Sequence, residues 1–179
     1  MKNKANKILL IGYRATGKTA VGRELARMLG CPFRDLDQLI EQEAGKSIAK
    51  IVEEKGWNGF REMERDLLEK MAESPKKFVL ACGGGSVLHK DQMELFSKKA
   101  AIVWLKAPLE VMLKRLLSDV NTPRSRPSLT DKDAKEEIEQ VYSERKPLYE
   151  RFAHIIVDTE DKSPFQIAQE ISEALKYGW

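Results

Sequence analysis

The stretch KILLIGYRATGKTAVGRELARMLG, residues 7–30, constrains the fold more than any other part of the chain. A short apolar run, Lys7 to Ile11, leads into GYRATGKT at residues 12–19. An amphipathic segment follows, in which Val21, Leu25, Met28 and Leu29 share one helical face. Strand, glycine-bearing turn and helix in that order match G-x-x-x-x-G-K-[ST] in the context that confirms it. The glycines let the backbone turn so that successive N–H groups point inward. The start of the helix adds positive partial charge, and the two together cradle phosphate oxygens. In this reading Lys18 supplies a point charge at the β- and γ-phosphates and Thr19 offers its hydroxyl to Mg²⁺. The predicted nucleoside triphosphate loop comprises Gly12, Ala15, Thr16, Gly17, Lys18, Thr19 and Ala20. A mere turn with a solvated lysine would require strand, helix and full motif to coincide by accident.

Beyond residue 30 the same alternation continues. Apolar runs at Pro32 to Leu36, Phe78 to Cys82, Ala101 to Lys106 and His154 to Asp158 bring the expected strands to five. Phe60, Met63, Leu67, Leu68 and Met71 share a helical face between them, and helices fit Pro108 to Leu117, Asp133 to Arg151 and Pro164 to Lys176. Such alternation predicts an α/β domain with a parallel sheet covered by helices. A length of 179 residues suits one domain. The segment SDVNTPRSRPSLTDKD, residues 118–133, lacks an apolar period and reads as a mobile surface loop. Lys and Arg number 31 against 28 Asp and Glu, interleaved with no basic stripe, which argues against a nucleic-acid partner. Cys31 and Cys82 form neither a disulfide framework nor a zinc spacing, and no apolar run is long enough for a signal peptide or membrane span. A cytoplasmic monomer without membrane association is the expectation.

Three features fall near the ends of expected strands, where open α/β sheets bind ligands. The first is Asp35-Leu36-Asp37. If the strand continues through them, both carboxylates face one side, able to hold Mg²⁺ and to orient or deprotonate a hydroxyl. The plain alternative makes Asp37 a helix N-cap. The second is GFREMERD, where Arg61 and Glu64 are i and i+3, so that Glu64 could steady a guanidinium facing a ligand carboxylate; a surface ion pair is the commoner explanation. The third is Gly83, Gly84 and Gly85, which strip side chains from a strand end and let a ligand approach the backbone. Arg145 joins them from the helix that starts near Asp133. It lies on the apolar stripe of Ile138, Val141, Tyr142, Leu148 and Tyr149, and an inward arginine requires an anion; Pro147, two residues on, loosens the helix there.

Taken in order, G-x-x-x-x-G-K-T, D-L-D, F-R-x-x-E, G-G-G, R-P and R-K-P-L-Y resemble the shikimate kinases, small members of the P-loop kinases, over nearly the whole chain. The combination is far more specific than the first motif alone. The resemblance implies a three-layer α/β/α fold with strand order 2-3-1-4-5, a mobile lid at about 118–133 and a substrate-binding helical region at about 37–65. It implies transfer of the ATP γ-phosphoryl group to the 3-hydroxyl of shikimate with Mg²⁺. Residue by residue, Asp37 meets the acceptor hydroxyl, while Arg61, Arg145 and the backbone at Gly83 to Gly85 hold the carboxylate and ring hydroxyls. Asp35 lies near Mg²⁺, Arg126 is the lid arginine over the phosphates, and Arg115 and Lys162 surround the adenine. Two departures stand out. Ala15 takes the place of a usual glycine, which leads us to expect an ordinary backbone there. Arg124 precedes Arg126 and competes for the lid role.

Two other readings keep the fold or the loop but change the function. One moves the phosphoryl group to a sugar acid such as gluconate or to a nucleoside monophosphate. The other is a nucleotide-responsive binding or assembly module without catalysis, against which Lys18, Thr19, Asp37 and an arginine-bearing lid all argue.

Overall fold

The computed structural model describes residues 6–118 and 133–177. Five strands, β1 (Lys7–Ile11), β2 (Phe33–Asp35), β3 (Phe78–Ala81), β4 (Ala101–Lys106) and β5 (Ile155–Asp158), form one sheet in the order β2-β3-β1-β4-β5. Every pairing is parallel. The helices are α1 (Lys18–Leu29), α2 (Leu36–Ala44), α3 (Ile48–Glu73), α4 (Lys90–Lys99), α5 (Leu109–Ser118), α6 (Ala134–Phe152) and α7 (Pro164–Tyr177). A 3₁₀ turn, Ser86–Leu88, precedes α4.

Alternation along the strands explains the three layers. Leu9 and Ile11 of β1 join Leu80, Ile102 and Trp104 in a core roofed by α3, α4 and α6. Ile8 and Leu10, pointing the other way, join Val79, Val103 and Val157 against α1 and α7. Because both faces of the sheet are covered, its central strands read as unbroken apolar runs, and β1, β3 and most of β4 are buried throughout.

The expected strand at Pro32 to Leu36 is shorter at both ends. Asp35 ends β2 and serves as N-cap of α2, its side chain accepting hydrogen bonds from the amides of Asp37 (3.1 Å) and Gln38 (3.4 Å). The cap is therefore Asp35 rather than Asp37, and Asp37 lies in the first helical turn. Helix α3 carries one break, at Gly56 (φ 68, ψ 176), which redirects the chain before Phe60, Arg61 and Glu64. Helix α6 runs through Pro147, which removes the N–H that would reach back to Ser143. Helix α4 was not expected from the sequence. Only Met93 and Phe96 of it are buried, too few apolar positions to announce a period.

In a parallel sheet all the loops after strands emerge at one edge. Strands β1 and β3 are neighbours, and the Cys82 amide continues their ladder by donating to the Leu10 carbonyl at 3.0 Å. The loops after β1 and β3 thus leave side by side. The connection after β1 runs to one side of the sheet and the connection after β3 to the other, so the strand order switches between these two strands, the place where such folds bind ligands.

Candidate active site

A cavity of about 380 Å³ opens at that point, lined by Arg14, Ala15, Gly17, Lys18, Thr19, Ala20, Asp35, Asp37, Ala81, Cys82, Gly83, Gly84 and Leu116. Residues predicted from three separate motifs share this one cavity. The loop after β1 needs positive φ at Gly12 (142°) and Gly17 (86°). A side chain at Gly12 would also bring a Cβ to 2.5 Å from the Leu105 carbonyl oxygen, so the position admits only glycine. Thr16 closes the loop from inside, its hydroxyl donating to the Tyr13 carbonyl at 2.8 Å. The Lys18 ammonium donates to the carbonyls of Gly12 (2.8 Å) and Tyr13 (2.7 Å), which keeps it over the mouth of the loop.

Ala15 corrects an expectation. Its φ is +61°, the left-handed region, and not the ordinary conformation an alanine suggests. Arg115 of α5 supports the strained residue by donating to the Ala15 carbonyl at 3.1 Å, and its other terminal nitrogen reaches the Thr159 carbonyl at 3.2 Å. Arg115 therefore lies against the nucleotide loop and Lys162 pairs with Glu170 at 2.7 Å, and neither lines the cavity. Arg124 and Arg126 lie outside the described residues.

The two carboxylates also meet in the cavity, by a different route from the one expected. Strand alternation does not align them, since Asp37 is already helical; the strand-to-helix turn delivers both. Thr19 donates its hydroxyl to the Asp35 carboxylate at 2.9 Å, leaving two hard oxygen ligands side by side at the foot of the nucleotide loop.

Arg61 and Arg145 come from distant helices to adjacent glycines. A Cβ on Gly85 would overlap the Arg61 guanidinium, and one on Gly84 would lie 3.7 Å from an Arg145 terminal nitrogen and 3.6 Å from the Arg14 amide nitrogen. The Arg61–Glu64 pair is no surface pair: the Glu64 side chain is 0% exposed. Besides Arg61, Glu64 accepts from the Ser86 hydroxyl at 2.8 Å and contacts His89 Nε2 at 2.9 Å. Burial alone would push its carboxyl up, but the His89 hydrogen bond and the Arg61 charge outweigh burial and hold it below the usual carboxylate range. Arg145 is 8% exposed. Burial pushes its guanidinium down from the usual value, a shift the Arg61 charge reinforces. Among the described residues it forms no ion pair with a carboxylate. It lies beside Tyr149, whose hydroxyl donates to the Gly84 carbonyl at 2.5 Å. A desolvated cation in this position favours an anionic ligand.

Several contributors escaped the sequence reading. Ser86, His89 and Tyr149 act through residues already singled out, and their signals are ordinary in type and spacing. Glu137 of α6, which pairs with Arg14, falls one position before the apolar stripe and gives no hint of its burial. Cys82 lines the cavity, yet burial pushes its thiol up and keeps it unreactive.

The family model described as "Shikimate kinase" matches residues 14–176. A shikimate kinase of Syntrophus aciditrophicus is 39% identical over 95% of this chain and 91% of its own. The solved shikimate kinase of Acinetobacter baumannii, a complex with shikimate, superposes with a TM-score of 0.88 at 32% identity, covering 96% of this chain and 93% of its own. The enzyme of Aquifex aeolicus superposes with a TM-score of 0.80 at 32% identity, covering 95% and 96%. A match that begins inside the nucleotide loop and runs almost to the end of α7 takes in every residue that lines the cavity, and the chain belongs to the shikimate kinase family.

Proposed function

We propose that this chain transfers the γ-phosphoryl group of ATP to the 3-hydroxyl of shikimate, yielding shikimate 3-phosphate and ADP. The single observation that carries this reading is the convergence of Arg61 and Arg145 on Gly84 and Gly85, beside a cavity that also holds Lys18 and Asp37. Two guanidinium groups set at different angles fix a carboxylate in orientation as well as in place, and so aim the ring hydroxyls of a small acid. Phosphoryl transfer needs positioning and neutralisation of charge more than covalent help. Lys18 balances charge on the β- and γ-phosphates, the amides of the loop bind their oxygens, and Asp37 takes or aligns the proton of the attacking hydroxyl. The Thr19 hydroxyl and Asp35 carboxylate suit Mg²⁺, which when bound would neutralise charge on the phosphate oxygens. Arg115 would pack against the adenine while it holds Ala15. The described residues include no helix long and apolar enough to cross a membrane; the reading takes the enzyme to act as a cytoplasmic monomer.

A coupled assay of ADP release with purified protein, ATP, Mg²⁺ and shikimate tests the proposal. Shikimate-dependent turnover well above the rate on gluconate or a nucleoside monophosphate is expected. Equal rates on all acceptors, or none on shikimate, would reject it.

A further inference from the structure

Two buried ion pairs flank the cavity, and the mechanism above uses one of them. In Arg61–Glu64 the side chains are 21% and 0% exposed; in Arg14–Glu137 they are 18% and 5%. Every other Lys or Arg pair among the described residues has both side chains at least 34% exposed. The two buried pairs are built alike, with a carboxylate sealed behind and a guanidinium partly open in front. In the first, that construction presents Arg61 to the ligand side of Gly85.

Arg14 has the same construction and a more central location. It lines the cavity with Lys18, Thr19, Asp35 and Asp37, and its amide faces Gly84. Its neighbours on one side bind the terminal phosphate and on the other bind the acceptor. Glu137 reaches it from the first turn of α6, the helix that also carries Arg145. Burying a carboxylate there costs free energy that a solvated arginine would not require. The arrangement makes sense if the orientation of the guanidinium matters. One edge of the fork is fixed by Glu137, and the remaining N–H groups are available to an anion in the cavity.

We propose that Arg14 binds the phosphoryl group in transit, as the γ-phosphate of ATP and then as the ester phosphate of the product, and that Glu137 is its positioning residue. The proposal rests on the shikimate kinase reading for the identity of the product, but one of its readouts does not. No bond is made to Arg14. It stabilises charge on the equatorial oxygens while the phosphorus moves from one oxygen to another.

The test compares wild type with Arg14→Met, Arg14→Lys and Glu137→Gln. Dissociation constants are measured by calorimetry for ADP, a non-hydrolysable ATP analogue, shikimate and shikimate 3-phosphate, and kcat is measured alongside. In Arg14→Met, kcat and the affinity for shikimate 3-phosphate should each fall by roughly 10-fold or more, the scale of one lost charge-assisted contact. ADP and shikimate, which lack the transferred group, should change by no more than about 2-fold, since their contacts are elsewhere. Arg14→Lys should recover part of the loss, and Glu137→Gln should show it in weaker form. The preference for the ATP analogue over ADP should shrink in the same order, and that ratio needs no acceptor. If wild type fails to use shikimate while the ratio still tracks Arg14, the acceptor assignment is wrong and this inference stands. Unchanged ratio, kcat and product affinity in Arg14→Met would overturn it. So would equal weakening of all four ligands, the mark of a pair that only packs the loop. Should Arg14→Met fail to fold, Arg14→Lys and Glu137→Gln decide by the same ratio.

Discussion

At the scale of single residues, Ala15 and Asp37 make opposite kinds of prediction. Ala15 carries a left-handed φ of 61° that costs an L-residue roughly 1–2 kcal/mol. Ala15→Gly removes this strain but frees the unfolded chain, which costs about 0.4–1 kcal/mol. The net effect should be a stabilisation of up to about 1 kcal/mol, or roughly 2–4 °C in Tm for a domain of this size. Thermal melts without nucleotide check it, and a lower Tm would mean that contacts such as the Arg115 hydrogen bond favour alanine. Turnover should stay near wild type, because the amides of the loop keep their direction. Asp37 lies in the cavity, and it is its backbone amide, not its carboxylate, that takes part in capping α2. Asp37→Asn should therefore preserve stability and both ligand affinities while lowering kcat by about 10²–10⁴, the range for a lost general base. Steady-state kinetics with calorimetry distinguishes this from a binding defect, and an unaltered kcat would remove Asp37 from the chemistry.

At the scale of elements, the neighbouring loops after β3 and β1 tolerate change at their glycines differently. Gly85 has an ordinary backbone (φ −95°), so alanine there adds no strain, but its Cβ would meet the mobile end of Arg61. Gly85→Ala should displace the guanidinium, raise KM for shikimate roughly 10–100-fold as one charge-assisted contact is lost, lower Tm as buried Glu64 loses part of its pairing, and leave KM for ATP near wild type. Gly12→Ala meets a backbone carbonyl at positive φ instead and should fail as a fold. Both effects belong to the way strands deliver loops, and that delivery was largely legible in the sequence. Runs such as Phe78 to Ala81 announce themselves because they are buried on both faces, and the nucleotide loop because its chemistry fixes residue types at fixed spacing. The DLD segment was legible in type and not in geometry. Whether Asp35 ends the strand depends on a cap hydrogen bond that competes with strand continuation over two residues. The burial of Glu64 and Glu137 was not legible at all. Each is an ordinary helical glutamate by spacing, and only the packing of α3 against α4, and of α6 over the nucleotide loop, takes it out of water.

At the scale of the whole molecule, the cavity joins two supports with different sensitivity to acid. The nucleotide half hangs on β1 and α1 through backbone hydrogen bonds, which do not titrate. The acceptor half depends on Glu64, which links Arg61 of α3, Ser86 of the 3₁₀ turn and His89 at the start of α4. The folded Glu64 carboxyl is held below its ordinary value of 4.5, so the unfolded chain binds the extra proton first. Its contribution to stability is complete above that value and is lost as pH falls towards and through the folded-state value. Exposed carboxylates such as Glu54 and Glu73 are also held down by lysines, but they are common to wild type and a Glu64→Gln variant. Urea unfolding of the pair at successive pH values from 6 to 3.5 should therefore show wild type losing more stability in acid, the difference isolating Glu64. Binding should separate in the same way. As pH falls below about 5, affinity for shikimate should decline in wild type before affinity for ADP, because protonated Glu64 no longer holds Arg61. In Glu64→Gln the shikimate affinity should already be weak at neutral pH and should lack that acid step. Parallel loss of both ligands, or identical acid slopes in the two proteins, would show that the acceptor half does not stand on this buried carboxylate.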